Sequence, residues 1–281
     1  MVPVTRSLLL VHAHPDDESI FTGATMAKYA AEGARVTLVT CTMGERGGNR
    51  LAPHASDRAD GVAELRANEL KAACAALGVM DYSFLGGLGR WRDSGAQRRP
   101  DDVDSRCFWR ADVEEAAGEL ATVVETVRPQ VMVTYDANGF YGHPDHIQAH
   151  RVAWRAYQMT CDPLLTKFYA VTMPKPVLAE AISQTPWSRR RRIPSPDSLQ
   201  VGLPDDQVTT EIDAVAYLDA KLSALEAHAT QILVDRPFFE VSGLVGMRAL
   251  GTEYYSLLTG PTGVARGMKS QSREDDLFSG I

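Results

Sequence analysis

Short apolar runs and amphipathic stretches alternate along the first 160 residues of the chain. The apolar or β-branched runs predict strands buried on both faces of a sheet, at residues 8–11, 35–41, 82–85 and 131–135. Helical spacing of apolar side chains predicts helices between them, at residues 18–32, 60–77 and 111–127. This alternation predicts an α/β fold, with a Rossmann-like, mostly parallel sheet and helices on both of its faces.

The predicted helix over residues 60–77 carries one apolar face, which we expect to be buried, formed by Leu65, Leu70, Ala73 and Leu77. Beyond residue 145 the pattern predicts a helix to residue 157, a strand over 167–173, and helices over 175–183 and 213–230. Residues 186–206 are rich in Pro, Ser, Asp and Arg, which predicts an irregular excursion.

Composition narrows the class of protein. The net charge of −7 argues against a general nucleic-acid or anionic-membrane binder, because such partners need a basic surface. The apolar run near the N-terminus is too short for a signal peptide or a membrane span, so we expect a cytoplasmic protein with a small-molecule partner. The four cysteines form no CxxC pair, and we expect buried free thiols at Cys41, Cys74, Cys107 and Cys161.

Potential metal ligands follow the first and fourth predicted strands. Residues 12–18 read HAHPDDE and residues 135–146 read YDANGFYGHPDH, so each segment contains a His-Pro-Asp. In open α/β sheets, ligands bind beyond the carboxyl ends of the strands. We therefore expect a metal site there, and imidazole and carboxylate ligands suit zinc and also iron(II).

Catalytic zinc usually keeps three protein ligands and leaves a position for water. His14, Asp17 and His146 could supply such a set, with Asp16 left free as a base beside the water. The alternative for the first loop is a tight turn whose aspartates cap a helix. His12 and His150 are expected to be buried or supporting residues rather than ligands.

The glycine-rich run at residues 86–89 is a weak signal. It does not open a helix after the first strand, as a dinucleotide-binding fingerprint must. We expect it to shape the floor of a pocket or to form a simple turn.

The histidine and aspartate segments resemble the LmbE-like (PIG-L) family of zinc-dependent N-acetylglucosamine deacetylases. The family signatures stand here as HPDDE at residues 14–18 and HPDH at residues 143–146. The mycothiol-biosynthesis branch of the family is resembled by residues 39–47 (VTCTMGERG), 85–95 (LGGLGRWRDSG) and 275–280 (DDLFSG), and residues 221–231 (KLSALEAHATQ) resemble a family helix. The resemblance implies hydrolysis of the acetamido group of N-acetylglucosaminyl-inositol, with release of acetate.

The same resemblance implies roles for individual residues. It implies that His14, Asp17 and His146 bind Zn²⁺, with Fe²⁺ as an alternative, and that Asp16 is the general base. His143 is the implied general acid, Tyr141 an oxyanion donor on a mobile loop, and Asp145 an orienting residue. Arg66 and Asp93 are the implied contacts to sugar or inositol hydroxyls.

We expect residues 1–281 to form one deacetylase domain. Residues 1–160 are then the α/β half that carries the metal site, and residues 161–281 are a C-terminal part that completes the pocket. The oligomeric state is left open.

One departure from the family pattern concerns the substrate. The mycothiol branch usually carries an acid after Gly-Glu-Arg-Gly, where this chain has Gly48 and Asn49. That acid is thought to contact inositol, so two other substrates stay open: a mycothiol S-conjugate cleaved by an amidase, and another N-acetylglucosaminide such as a glycosylated natural product. A non-catalytic sugar-binding protein and a magnesium phosphatase are the alternatives from other classes.

Overall fold

A computed structural model describes residues 5–52, 59–95, 106–160, 162–186, 201–241, 246–263 and 273–281. The strands are β1 (Ser7–His12), β2 (Arg35–Thr40), β3 (Asp81–Phe84), β4 (Val131–Thr134), β5 (Lys167–Thr172), β6 (Thr210–Asp213), β7 (Ile232–Asp235), β8 (Phe238–Val241), β9 (Gly246–Arg248) and β10 (Thr252–Thr259). The helices are α1 (Asp17–Phe21), α2 (Gly23–Ala31), α3 (Ala59–Ala76), α4 (Val113–Val127), α5 (Gly139–Gly142), α6 (Pro144–Met159), α7 (Lys175–Ser183) and α8 (Leu218–Ala227).

The main sheet has seven strands in the order β3-β2-β1-β4-β5-β10-β6. Its first five strands are parallel, and β10 runs antiparallel to both β5 and β6. All six residues of β1 are buried, as expected for an apolar strand at the centre of a covered sheet. Because helices flank a mostly parallel sheet, the predicted α/β fold is confirmed.

A second sheet is small and antiparallel, in the order β7-β8-β9. It packs against α7 and α8, and its separate apolar cluster consists of Leu222, Leu225, Ile232, Phe239 and Ala249. The sequence pattern missed this sheet because strands of three or four residues show no clear alternation.

The predicted helix over residues 18–32 is wrong in one respect, since it is two helices that meet at Thr22. The Thr22 hydroxyl donates to the carbonyl oxygen of Glu18, 3.0 Å away. A threonine that bonds to the preceding turn competes with the regular helix, and the glycine that follows permits the break.

The predicted helix over residues 213–230 is also wrong at its start. Residues 210–213 form β6, which pairs with β10, and α8 begins only at Leu218. Pairing with a neighbouring strand has overridden the local helical preference here. Leu65, expected on the buried face of α3, is instead 47% exposed.

Cys41, Cys74 and Cys107 are buried free thiols, as predicted, and Cys161 lies outside the described residues. Most of the predicted excursion over residues 186–206 also lies outside them. In the described parts of the chain, no helix is both long and apolar enough to cross a membrane.

Candidate metal centre

The two histidine-bearing segments meet because β1 and β4 are neighbours in the sheet and run parallel. Their carboxyl ends therefore lie at the same edge. The segment after β1 leads into α1, and the segment after β4 forms the short helix α5 before α6 begins at Pro144. The sequence pattern predicted an open loop where α5 stands.

The Asp17 carboxylate lies between two histidine rings. Its Oδ2 atom is 3.2 Å from His14 Nδ1 and 3.4 Å from His146 Nε2. The same oxygen accepts the backbone N–H of His14 at 2.8 Å. Burial by itself would raise the pKa of Asp17, but His146 and His14 lower it well below its usual range. Asp17 is therefore an anion at neutral pH.

Two of the three distances within the predicted ligand set match the spacing of atoms bound to one metal ion, but this set is not among the groups of described residues whose ligand atoms all lie within 4.8 Å of one another. Ligand atoms bonded tetrahedrally at about 2.1 Å lie about 3.4 Å from one another, which is the spacing found around Asp17 Oδ2. In addition, neither ring nitrogen of His146 has a well-formed hydrogen bond among the described residues, although both are buried. A buried imidazole without hydrogen bonds is costly, and a metal ion would satisfy one of its two nitrogens.

Carboxylates also surround the other side of the His14 ring. Its Nε2 atom is 3.2 Å from Asp145 Oδ2 and 3.6 Å from Asp93 Oδ1. Burial opposes a protonated His14, yet Asp93, Asp145 and Asp17 raise its pKa well above the usual range. The negative electrostatic potential of these carboxylates, which favours a proton so strongly, also favours a metal cation. Ligand atoms of His14, His143 and His146 lie within 4.8 Å of one another, as do those of His14, Asp93 and Asp145.

Asp16 adopts a backbone conformation with a φ of 118°, which only glycine takes easily. Its Oδ2 atom lies 3.3 Å from Nη2 of Arg66, the buried residue predicted to contact substrate. Burial raises the pKa of Asp16 to about 7, against the opposing effect of Arg66. A carboxyl group with such a pKa can exchange a proton near neutral pH, as a general base should.

The strained Asp16 is held by a buried ion pair that the sequence did not reveal. Glu18 Oε2 accepts the backbone N–H of Asp16 at 2.9 Å, and Glu18 Oε1 lies 2.7 Å from Nε2 of His228. Both side chains are fully buried. Burial works against both charges, yet the pKa of Glu18 is lowered and that of His228 raised by their mutual attraction. The acid at the end of HPDDE therefore fixes the preceding backbone rather than a metal.

Arg66 is fixed by the loop after β2. It donates to the carbonyl oxygens of Gly44, at 2.6 Å, and of Pro15. Gly44 has a φ of 65°, and a Cβ atom there would lie 2.2 Å from the guanidinium. Glycine is therefore required for Arg66 to reach the aspartate loop.

His143 caps the first turn of α6. Its Nδ1 accepts the backbone N–H of Asp145 at 3.1 Å, so its neutral form carries the proton on Nε2. Burial and the neighbouring His14 and His146 lower its pKa to about 2. Asp145 also accepts the N–H of Ser94 at 2.8 Å, which holds its carboxylate against His14.

Tyr141 lies in α5 and is 37% exposed, with its ring centroid 5.0 Å from that of His146 and 6.0 Å from that of His143. Burial, followed by the nearby carboxylate of Asp17, raises the pKa of its hydroxyl above the ordinary value, so the group stays protonated at neutral pH. It can therefore donate a hydrogen bond.

A cavity of about 700 Å³ opens onto these groups. Most of the residues that the sequence predicted for the site line this cavity: His14, Asp16, Asp17, Arg66, Asp93, Tyr141 and His143. Asp145 and His146 do not line it. Apolar side chains also line it, among them Leu178, Ile182, Phe239, Val241 and Met247. Three further residues that line the cavity were not predicted from the sequence: Lys221, Gln231 and Glu253. The first two lie in the run KLSALEAHATQ, whose resemblance to a family helix was a signal for them. The glycines of residues 86–89 form a turn and do not line it.

An α/β sheet with buried histidines and aspartates at its carboxyl edge, beside a deep cavity, defines a small-molecule site with a candidate metal centre. A family model described as "PIG-L: GlcNAc-PI de-N-acetylase" matches residues 9–157. The chain belongs to this family.

Relatives that match over the full length of the chain are named as deacetylases. The chain is 55% identical over 296 residues to the 1D-myo-inositol 2-acetamido-2-deoxy-alpha-D-glucopyranoside deacetylase of Thermomonospora curvata, covering 100% of this chain and 99% of the relative. It is 51% identical to the protein of the same name from Thermobispora bispora, covering 98% and 99%.

Two solved structures share the fold. The N,N'-diacetylchitobiose deacetylase from Pyrococcus horikoshii superposes with a TM-score of 0.55 at 16% identity, covering 81% of this chain and 71% of that one. The 4-carboxy-2-hydroxymuconate hydratase of Pseudomonas putida KT2440 superposes with a TM-score of 0.61 at 18% identity, covering 94% and 100%. Because one is a deacetylase and the other a hydratase, the fold alone does not identify the reaction.

The ion pair of Glu18 and His228 yields a stability prediction. Replacing His228 with Phe leaves the buried Glu18 carboxylate without its cationic partner, which should lower the free energy of unfolding by about 3–5 kcal/mol. Urea unfolding followed by circular dichroism would measure it. The matched control is Arg236→Ala, which removes an exposed ion pair with Glu226 and should change stability far less. Equal effects of the two substitutions would contradict the structural role of the pair.

Proposed function

We propose that this protein hydrolyses the acetamido group of N-acetylglucosaminyl-inositol, giving glucosaminyl-inositol and acetate, in mycothiol biosynthesis. The observation that carries the proposal is the position of Asp17 between His14 and His146, beside the raised-pKa carboxyl of Asp16, at one end of a large cavity. The names of the full-length relatives support the same substrate.

The proposed metal is zinc, with iron(II) as the alternative, and its proposed ligands are His14, Asp17 and His146. Two imidazoles and one carboxylate suit either ion, and they leave a position for water. When bound, such an ion supplies Lewis acidity, which lowers the pKa of water and polarises a carbonyl group.

Asp16 is the proposed general base. Its carboxyl group lines the cavity next to Asp17, and its pKa of about 7 suits it to take a proton from the attacking water. Arg66 fixes the orientation of this carboxyl group and keeps its pKa from rising further.

Tyr141 is proposed to act on the carbonyl oxygen of the amide, and His143 on its nitrogen. The Tyr141 hydroxyl donates a hydrogen bond to the oxygen on which negative charge develops. His143 is neutral before the reaction and carries its ring proton on Nε2. It gives this proton to the departing amine and takes in return the proton that Asp16 removed from water. The amine needs this proton because an amide anion is a poor leaving group.

The sugar and its aglycone are proposed to lie along the cavity beyond these groups. Asp93 lines the cavity and accepts backbone N–H groups of Arg46 and Gly95 at 3.0 and 2.7 Å, which fixes its carboxylate for contact with hydroxyls. The half of the chain after residue 160 is proposed to complete the pocket, since it contributes lining residues such as Thr172 and Tyr254.

The substrate and the metal can be tested together. Zinc-loaded protein should release amine from N-acetylglucosaminyl-inositol faster than from plain N-acetylglucosamine. Treatment with a chelator should abolish the release, and added Zn²⁺ should restore it. Release that survives complete removal of metal would refute the metal-dependent mechanism, and equal rates on the two sugars would refute the inositol assignment alone.

Asp16→Asn tests the base. The amide has nearly the same shape but cannot accept a proton, so turnover should fall by about 10²–10⁴ while zinc content stays at the parent level. Elemental analysis and an amine-release assay measure the two quantities. Asp219→Asn, at an exposed aspartate, is the control and should change neither. Full turnover by Asp16→Asn would remove Asp16 from the mechanism.

Gly48→Glu introduces the acid that the mycothiol branch usually carries after Gly-Glu-Arg-Gly, and so tests a contact between that acid and inositol. Gly48 lines the cavity, and a Cβ atom there would meet nothing within 4 Å. A carboxylate at this position can accept hydrogen bonds from inositol hydroxyls, so KM for the inositol substrate should fall by about tenfold. The rate on plain N-acetylglucosamine should not change. Gly48→Gln, which has the same length without the charge, should give a smaller gain; an equal gain would mean that the charge is not what matters.

A further inference from the structure

Two buried residues that line the cavity, Lys221 on α8 and Glu253 on β10, take no part in the reaction steps proposed above. Their side chains are each only 4% exposed. The Lys221 ammonium donates to Glu253 Oε1 at 2.7 Å. Among the described residues, no hydrogen bond or ion pair joins either side chain to a proposed metal ligand. The pair is therefore a second polar feature of the cavity, separate from the candidate metal centre.

Glu253 is held in place by the start of α2. Its Oε1 accepts the backbone N–H of Ala24 at 3.1 Å, and its Oε2 accepts that of Thr25 at 2.8 Å. A carboxylate is favoured in this position, because the first N–H groups of a helix have no partner within the helix. With both of its oxygens engaged, Glu253 fixes the position of the Lys221 ammonium.

The ammonium group of Lys221 has fewer partners than donors. A lysine ammonium has three N–H hydrogens and no acceptor. Glu253 is the only partner that the described residues provide, so two hydrogens of Lys221 are left over. The other buried lysine among the described residues, Lys167, donates to Glu274 Oε1 at 2.8 Å and to the carbonyl oxygen of Ser279 at 2.7 Å. Because a buried donor without a partner is costly, Lys221 is suited to a partner that enters the cavity.

The chemistry of this partner follows from the ion pair. Because an ammonium group only donates hydrogen bonds, the partner must present an oxygen with a lone pair. Glu253 already compensates the positive charge of Lys221, so the partner need not be an anion. A neutral hydroxyl group meets both conditions, and the proposed substrate has hydroxyl groups on its sugar and on its inositol.

We propose that Lys221 is a substrate-binding residue that donates a hydrogen bond to a hydroxyl group of the amino-sugar substrate, with Glu253 as its positioning residue. This inference rests on the proposed function. The contact does not involve the reacting amide, so it stabilises the bound substrate and the transition state alike. Lys221 therefore sets the affinity for the substrate rather than the rate of the chemical step.

The test is Lys221→Met in the full-length, zinc-loaded protein, assayed for amine release from N-acetylglucosaminyl-inositol and from plain N-acetylglucosamine. Methionine keeps most of the apolar part of the side chain and removes the ammonium. KM should rise by roughly 10–100-fold, as expected for the loss of a hydrogen bond from a charged donor, with little change in kcat. A rise with both substrates places the contact on a sugar hydroxyl, and a rise with the inositol compound alone places it on inositol.

The chain offers a matched control in Lys167→Met. This substitution also leaves a buried glutamate, Glu274, without its ammonium partner, so it should destabilise the fold as well. KM should nevertheless stay at the parent value, because Lys167 does not line the cavity. An equal rise of KM in Lys167→Met would assign the effect to destabilisation and overturn the inference.

A second variant covers the case in which Lys221→Met does not fold. Gly23 is the first residue of α2, and a Cβ atom there would lie 3.2 Å from Lys221 Cγ. Gly23→Ala suits a helix and should displace the Lys221 side chain by a few tenths of an ångström, so KM should rise by a smaller factor.

The outcomes separate this inference from the proposed function. Parent-like KM with both substrates in a folded Lys221→Met, or in Gly23→Ala where Lys221→Met does not fold, overturns the inference while the proposed function stands. A parent protein that releases amine from neither sugar overturns the proposed function and this inference with it.

Discussion

The burial of negative charge at the end of the central strand is the constraint on which the rest of the site depends. Asp17, Glu18 and Asp145 are almost wholly buried, and an unpaired carboxylate in such a place is too costly to persist as an anion. Imidazoles compensate two of them, His14 and His146 for Asp17 and His228 for Glu18, whereas burial raises the pKa of Asp145 even though His14 lies beside it. The histidines thus serve the fold as charge partners before they serve any metal.

Neighbouring carboxyl groups acquire different properties because their partners differ. Asp17 faces two imidazoles and has a lowered pKa, whereas Asp16 faces one guanidinium and has a raised one. Adjacent positions in the chain can therefore supply an anionic ligand and a base. The positive φ of Asp16 directs these two side chains into different surroundings. Glu18 stabilises this conformation by accepting the backbone N–H of Asp16.

Much of the core could be predicted because its signals are local. The apolar run of β1, the β-branched run of β2 and the two HPD segments each lie within a dozen residues, and parallel pairing brings the segments together. The antiparallel insertion of β10 and the pairing of Glu18 with His228 could not be predicted from pattern, since they depend on contacts between distant parts of the chain. Leu65 shows the same limit: helical periodicity placed it on a face, but only packing decides which parts of that face are covered.

The distance in sequence between Glu18 and His228, 210 residues, has a consequence for how the protein is made. During synthesis the N-terminal strands emerge first. At that stage α8 has not yet left the ribosome, so Glu18 has no cationic partner and the loop that carries Asp16 and Asp17 is not held. The loop that carries the candidate metal ligands therefore takes its final form only after α8 has joined the fold.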